Sequence, residues 1–197
     1  MPPLRNTPRS FGLVSVLLHW VTAVAVLGLF ACGFWMVDLS YYDPLYTVLP
    51  QWHEAVGLAL VAVTALRLIW RGASQQPQAA ANESRSQRTL ATFAHIFLLL
   101  GLVVVMASGY LISTAGNAEI DVFGWFAVPP LIDAIDNQED IAGYWHWLSA
   151  WALIALVAAH SAAALWHQYA RRDNTLGRML VPGSTLTPDT PKKENSA

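Results

Sequence analysis

Cysteine is nearly absent from this 197-residue chain: Cys32 is the only one. That excludes an intramolecular disulfide and any metal cluster held by thiolates alone. Charge is scarce as well. Only 12% of residues are charged, against about 25% in a typical soluble domain. With 55% hydrophobic residues and a mean hydropathy of +0.39, the composition is that of a membrane protein. The net charge of −2 says little, because the charges are segregated along the chain. All eleven Lys and Arg fall at the N-terminus, around residues 67–88, or after residue 170. The loops 37–50 and 113–143 contain neither.

What is present instead is long apolar runs. Four are long enough to cross a bilayer, at about 11–36, 51–70, 90–112 and 144–168, since a span needs roughly 20 residues of helix. The first follows two arginines, as a signal peptide would, and Leu29-Phe30-Ala31-Cys32 faintly resembles a lipoprotein cleavage box. Its apolar core is too long for a signal sequence, and His19-Trp20 inside the run also argues against cleavage. The expected organisation is therefore a polar N-terminus (1–10), a four-helix transmembrane domain (11–170) and a polar tail (171–197), largely disordered from about 182. Residues 72–88 read as a flexible connection. Pro129 and Pro130 break any helix in the long loop, and nine tryptophans suit aromatic belts at the membrane surfaces. The segregated cations place both termini in the cytoplasm by the positive-inside rule. The outer side carries nine acids: Asp38, Asp43, Glu54, Glu119, Asp121, Asp133, Asp136, Glu139 and Asp140.

Histidines inside such spans are costly and usually mark a function. His146 and His160 are fourteen residues apart in the fourth span. On a helix this is a rise of about 21 Å and within roughly 40° of a whole number of turns. The two imidazoles therefore leave nearly the same face at two depths. Counting rise from each inner end puts His19 and His160 both about 12 Å deep. His53 and His146 each lie two residues past the outer start of a span. His95 lies about 7 Å from the inner end of the third span, and His167 falls at the interface. A single intramembrane histidine is as well explained by a hydrogen bond to a neighbouring helix, but the joint pattern is not. Two depth-matched pairs of neutral imidazoles suit haem iron ligated from both faces. Zinc wants about four ligands at one height, and each level supplies two. No Cys-x-x-Cys-His occurs, so haem would not be covalently attached. Small residues follow the histidines by one turn (Ala23, Gly57, Ala150, Ala163 and Ala164), where a porphyrin edge needs room. Arg67 and Arg71 are candidates for haem propionates on the inner side. His95 is a candidate for a quinone contact or for a substitute axial ligand.

These motifs resemble the small stand-alone cytochromes b561 of bacteria over roughly residues 10–180. The likeness rests on Leu18-His19-Trp20, His53-Glu54-Ala55-Val56-Gly57, Trp145-His146, Ala159-His160-Ser161-Ala162-Ala163-Ala164-Leu165, and Asp173-Asn174-Thr175-Leu176-Gly177-Arg178-Met179. The resemblance implies an all-α, four-helix membrane bundle with two stacked b-type haems and electron exchange with quinone. It supports His19 with His160 at the inner iron and His53 with His146 at the outer one. The expected function is electron transfer between the quinone pool and an outer-side redox partner. Some members are assigned superoxide oxidation coupled to quinone reduction, and related subunits anchor larger oxidoreductases. An outer surface with nine acids and no Lys or Arg would repel superoxide.

Overall fold

The computed structural model describes residues 1–78 and 84–185. The flexibility expected at 79–83 and the disorder expected from 186 onward lie outside the described residues. Four long helices dominate: α1 (Leu13–Met36), α2 (Val48–Ala73), α3 (Arg85–Ser113) and α4 (Gln138–Trp166). All four are long and apolar enough to cross a membrane. Their outward faces are apolar too: Val24 is 67% exposed, Ile69 68% and Leu90 71%. Helices apolar all round are stable only where lipid covers them.

Each helix except α1 runs past the apolar run that announces it. α2 begins at Val48 and carries Pro50 in its first turn, where a missing N–H costs nothing. α3 begins at Arg85 because Ser84 and Gln87 form a reciprocal capping box. α4 begins at Gln138, after Asn137 takes a left-handed conformation. α1 is capped by its own N-terminal segment. The Leu13 and Val14 amides donate to the Pro3 and Leu4 carbonyls, and Asn6 Oδ1 accepts from Gly12 N. Gly12 is required there, since a Cβ would fall 2.4 Å from the Arg5 backbone.

The helices pack mainly as two hairpins, α1 on α2 and α3 on α4, with α1 and α4 scarcely touching. The buried core lies at mid-height. It is Leu60, Leu102 and Leu153, with Ala25, Val26, Leu29, Leu98, Val105, Met106 and Val157 against it. Leu153 sits seven residues from both His146 and His160, about 10 Å of helix either way. The core is thus an apolar partition between the two histidine levels.

The long loop 113–143 holds a feature that the sequence reading left as irregular chain. β1 (Ile120–Val122) pairs antiparallel with β2 (Phe126–Val128). Phe123 and Gly124 both have positive φ (56° and 71°), as tight hairpin turns demand. Ile120 and Val122 are buried against α2, beside Ala55.

At the opposite end the chain closes on itself. α4 passes through one π-helical turn (His167–Arg171) and stops where Arg172 becomes left-handed. A short helix α5 (Gly177–Leu180) follows. Gly183 N then donates to Phe11 O, and Thr185 pairs with Ser10, so the segment up to Thr185 packs against the N-terminal residues. Trp20 Nε1 donates to Met179 O at 2.6 Å, tying this clasp to α1.

Asp173 organises the clasp. It accepts from Thr175 N (3.1 Å) and Thr175 Oγ1 (2.6 Å), and lies 2.6 Å from His167 Nδ1. Burial raises its carboxyl, but hydrogen bonds from Thr175 and His167 outweigh burial and hold it below the usual carboxylate range. A carboxyl lowered in the folded state stabilises above its unfolded value of about 3.9 and loses that contribution as pH falls through its folded value. Protection of the amides of residues 173–185, measured against their intrinsic exchange rates, is therefore expected to fall below about pH 4, and Asp173→Asn to show the low protection already at neutral pH. Equal protection in both proteins at every pH would refute this role.

Candidate functional site

The helices bring the predicted histidines together at two levels. Nearer the β-hairpin, His53 of α2 faces His146 of α4, ring centroids 6.1 Å apart. Nearer the termini, His19 of α1 faces His160 of α4 at 6.5 Å. Two imidazoles binding one iron through Nε2, with bonds of about 2.0 Å, have centroids about 6.3 Å apart. Both pairs fit. His95 of α3 lies 5.4 Å from His160, too close for an iron between them. It belongs to the lower cluster as a third imidazole, and its side is exposed on the flank of the bundle. α3 starts five residues before the expected span, so His95 sits deeper along its helix than the apolar run suggested.

Hydrogen bonding assigns the tautomer of His146. The Val105 carbonyl lies 2.9 Å from Nδ1 and can only accept, so Nδ1 carries the proton. Ser108 Oγ, 3.3 Å away, gives its own proton to Val104 O. Nε2 is left as a lone pair, the state a metal requires, held by an outer hydrogen bond of the usual kind. Among the described residues, His53 Nδ1 is buried without a partner. Both rings stand against glycine: a Cβ at Gly109 would lie 3.0 Å from His146 Cε1, and one at Gly33 3.3 Å from His53 Cε1. Each glycine lies on a different helix from the ring it faces, so no spacing within one helix points to it.

His53 and His146 open into a cavity of ≈ 500 Å³ whose floor is Leu60, Leu102 and Leu153, within the range of about 300–1,000 Å³ usual for small-molecule and cofactor sites. Gly57 and Ala150 line it as expected, and nothing lies within 4 Å of a Cβ built at Gly57. The charged residues on its wall are Asp38 and Glu54. Glu54 Oε1 accepts from Ser113 Oγ at 2.9 Å.

The lower cluster has the opposite charge. Arg67 Nη2 donates to His19 Nδ1 at 3.1 Å. The field of Arg67 also reaches His160, and Arg67 and Arg71 both act on His95. Arg71 itself is exposed, one turn further along α2. Ala23 of α1 and Ala163 and Ala164 of α4 are on the two helices that carry the His19–His160 pair.

Two levels of paired imidazoles inside four helices long and apolar enough to cross a membrane fit the donor set of a membrane haem protein. Residues 10–182 match the prokaryotic cytochrome b561 family. The chain is 41% identical over 180 residues to cytochrome b561 homolog 2 of Escherichia coli (strain K12), covering 91% of this chain and 96% of that one. Cytochrome b561 homolog 1 of the same strain is 27% identical over 176 residues, covering 86% and 96%. The chain belongs to the prokaryotic cytochrome b561 family, haem-binding proteins of membrane electron transport.

Proposed function

We propose that this protein carries electrons across a bacterial inner membrane through two b-type haems, between the quinone pool and a redox partner on the outer side. His53 and His146 would hold the outer haem, and His19 and His160 the inner one. Bound haem supplies one-electron chemistry; the residues supply ligation, insulation and orientation. The observation that carries the reading is the pair of centroid separations, 6.1 and 6.5 Å, each matched to one iron.

Val105 O fixes the proton of His146 on Nδ1 and so presents Nε2. At the inner level, ligation through Nε2 of His19 needs its proton on Nδ1. Arg67, which donates to that nitrogen in the structure, would then be released from it, and Arg67 and Arg71 suit haem propionates by charge. Leu60, Leu102 and Leu153 keep water out of the space between levels. His95, exposed on the bilayer flank and in ring contact with His160, is placed for a quinone arriving laterally from the lipid. Both termini lie in the cytoplasm, with the cationic ends, and the β-hairpin faces outward.

Purified protein is expected to contain two haems per chain by pyridine haemochrome assay and to show b-type bands on reduction. One haem or none would overturn the reading.

A further inference from the structure

Resting on the two-haem reading, we infer that Arg67 and Glu54 set the order of the two haem potentials, so that a chain reduced by one electron holds it at the inner level. The observation is a charge asymmetry between the two levels. Each level has two imidazoles at nearly one separation. The groups facing the outer level are Glu54 of α2 and Asp38 just past α1, both acidic, while α3 and α4 contribute His146, Ser113, Tyr110 (whose hydroxyl donates to Pro129 O) and apolar side chains. The loops beyond it contain no Lys or Arg. The groups facing the inner level are the guanidiniums of Arg67 and Arg71, with His95 of α3. The nearest acid of the clasp, Asp173, is engaged with His167 and Thr175.

A fixed charge beside a buried redox centre shifts its potential through Coulomb interaction with the added electron. A fixed cation stabilises the added electron and a carboxylate opposes it, more strongly in a dry interior than in water. Propionates bring the same charge to both levels, so they leave the difference between the levels to the protein. Arg67 favours the reduced state inside, and Glu54 disfavours it outside. An electron on this chain would therefore favour the inner level, where His95 lies beside His160 on the exposed flank of the bundle.

Potentiometric titration of the holoprotein, followed in the b-band absorbance, tests this. Two components are expected. Arg67→Gln should lower the upper one and leave the lower in place, whereas Arg67→Lys should keep it near the wild-type value, since charge rather than the guanidinium fork is at issue. Glu54→Gln should raise the lower component alone. In His146→Ala, which keeps the inner haem, the remaining potential should coincide with the upper component. The inference is overturned if Arg67→Gln shifts the lower component, if Glu54→Gln shifts the upper one, or if the haem left in His146→Ala titrates with the lower. Should Arg67→Gln lose its inner haem, the other two variants decide. Haem counting on the same samples separates the two readings: fewer than two in the wild type refutes the two-haem reading, while two haems with the wrong order refute only this inference.

Discussion

Replacing His146 with alanine is expected to remove the outer haem and keep the inner one, leaving about one haem per chain. His160→Ala should do the reverse. The independence follows from the partition of Leu60, Leu102 and Leu153, which separates the levels by about 10 Å of helix on either side of Leu153. Neither substitution removes a residue of that partition. In His146→Ala the Val105 carbonyl loses one donor, but it belongs to α3 and keeps its place in the helical ladder. Haem extraction with pyridine counts what remains, and circular dichroism confirms that the helices persist. Added imidazole should restore the missing ligand in His146→Ala and with it part of the second haem. Loss of both haems from either change would mean that the levels are coupled, and loss of neither would refute the pairing.

The second large effect is expected at the glycines. Gly57→Leu puts a branched side chain into the cavity beside His53, where nothing lies within 4 Å of the new Cβ. The protein has no clash to relieve, so the fold should survive while the outer haem loses its space. Gly109→Val acts differently. Its Cβ would lie 3.0 Å from His146 Cε1 and 3.2 Å from Nδ1, and its two further methyl groups would tilt the ring off its Val105 hydrogen bond. Both variants should bind about one haem per chain, the inner one, and their spectra should match that of His146→Ala. Two haems in Gly57→Leu would show that the cavity does not house the cofactor.

The four spans and the pairing of histidines by depth were legible in the sequence because helical rise converts residue number into height. His53 and His146, and His19 and His160, were matched by that arithmetic alone. Helix ends were not legible in the same way. Hydropathy marks the stretch that lipid can cover, while α3 and α4 continue through polar turns fixed by Ser84 and Asn137. The β-hairpin left a signal that went unread: Ile120 and Val122 alternate with Asp121, and Gly124 follows in the turn. Gly33 and Gly109 could not be read as backstops for imidazoles, since only packing decides which helix face meets which ring. The contact of Arg67 with His19, and of Trp20 with Met179, joins residues far apart in sequence, beyond the reach of any local pattern.

The helices pair as two hairpins, and each proposed haem takes one ligand from either hairpin: His53 or His19 from the first, His146 or His160 from the second. On that reading iron would fasten the two hairpins, and a chain without haem would keep them joined by the mid-height core and the terminal clasp alone. The expected consequence is faster proteolysis of the chain when haem is limiting.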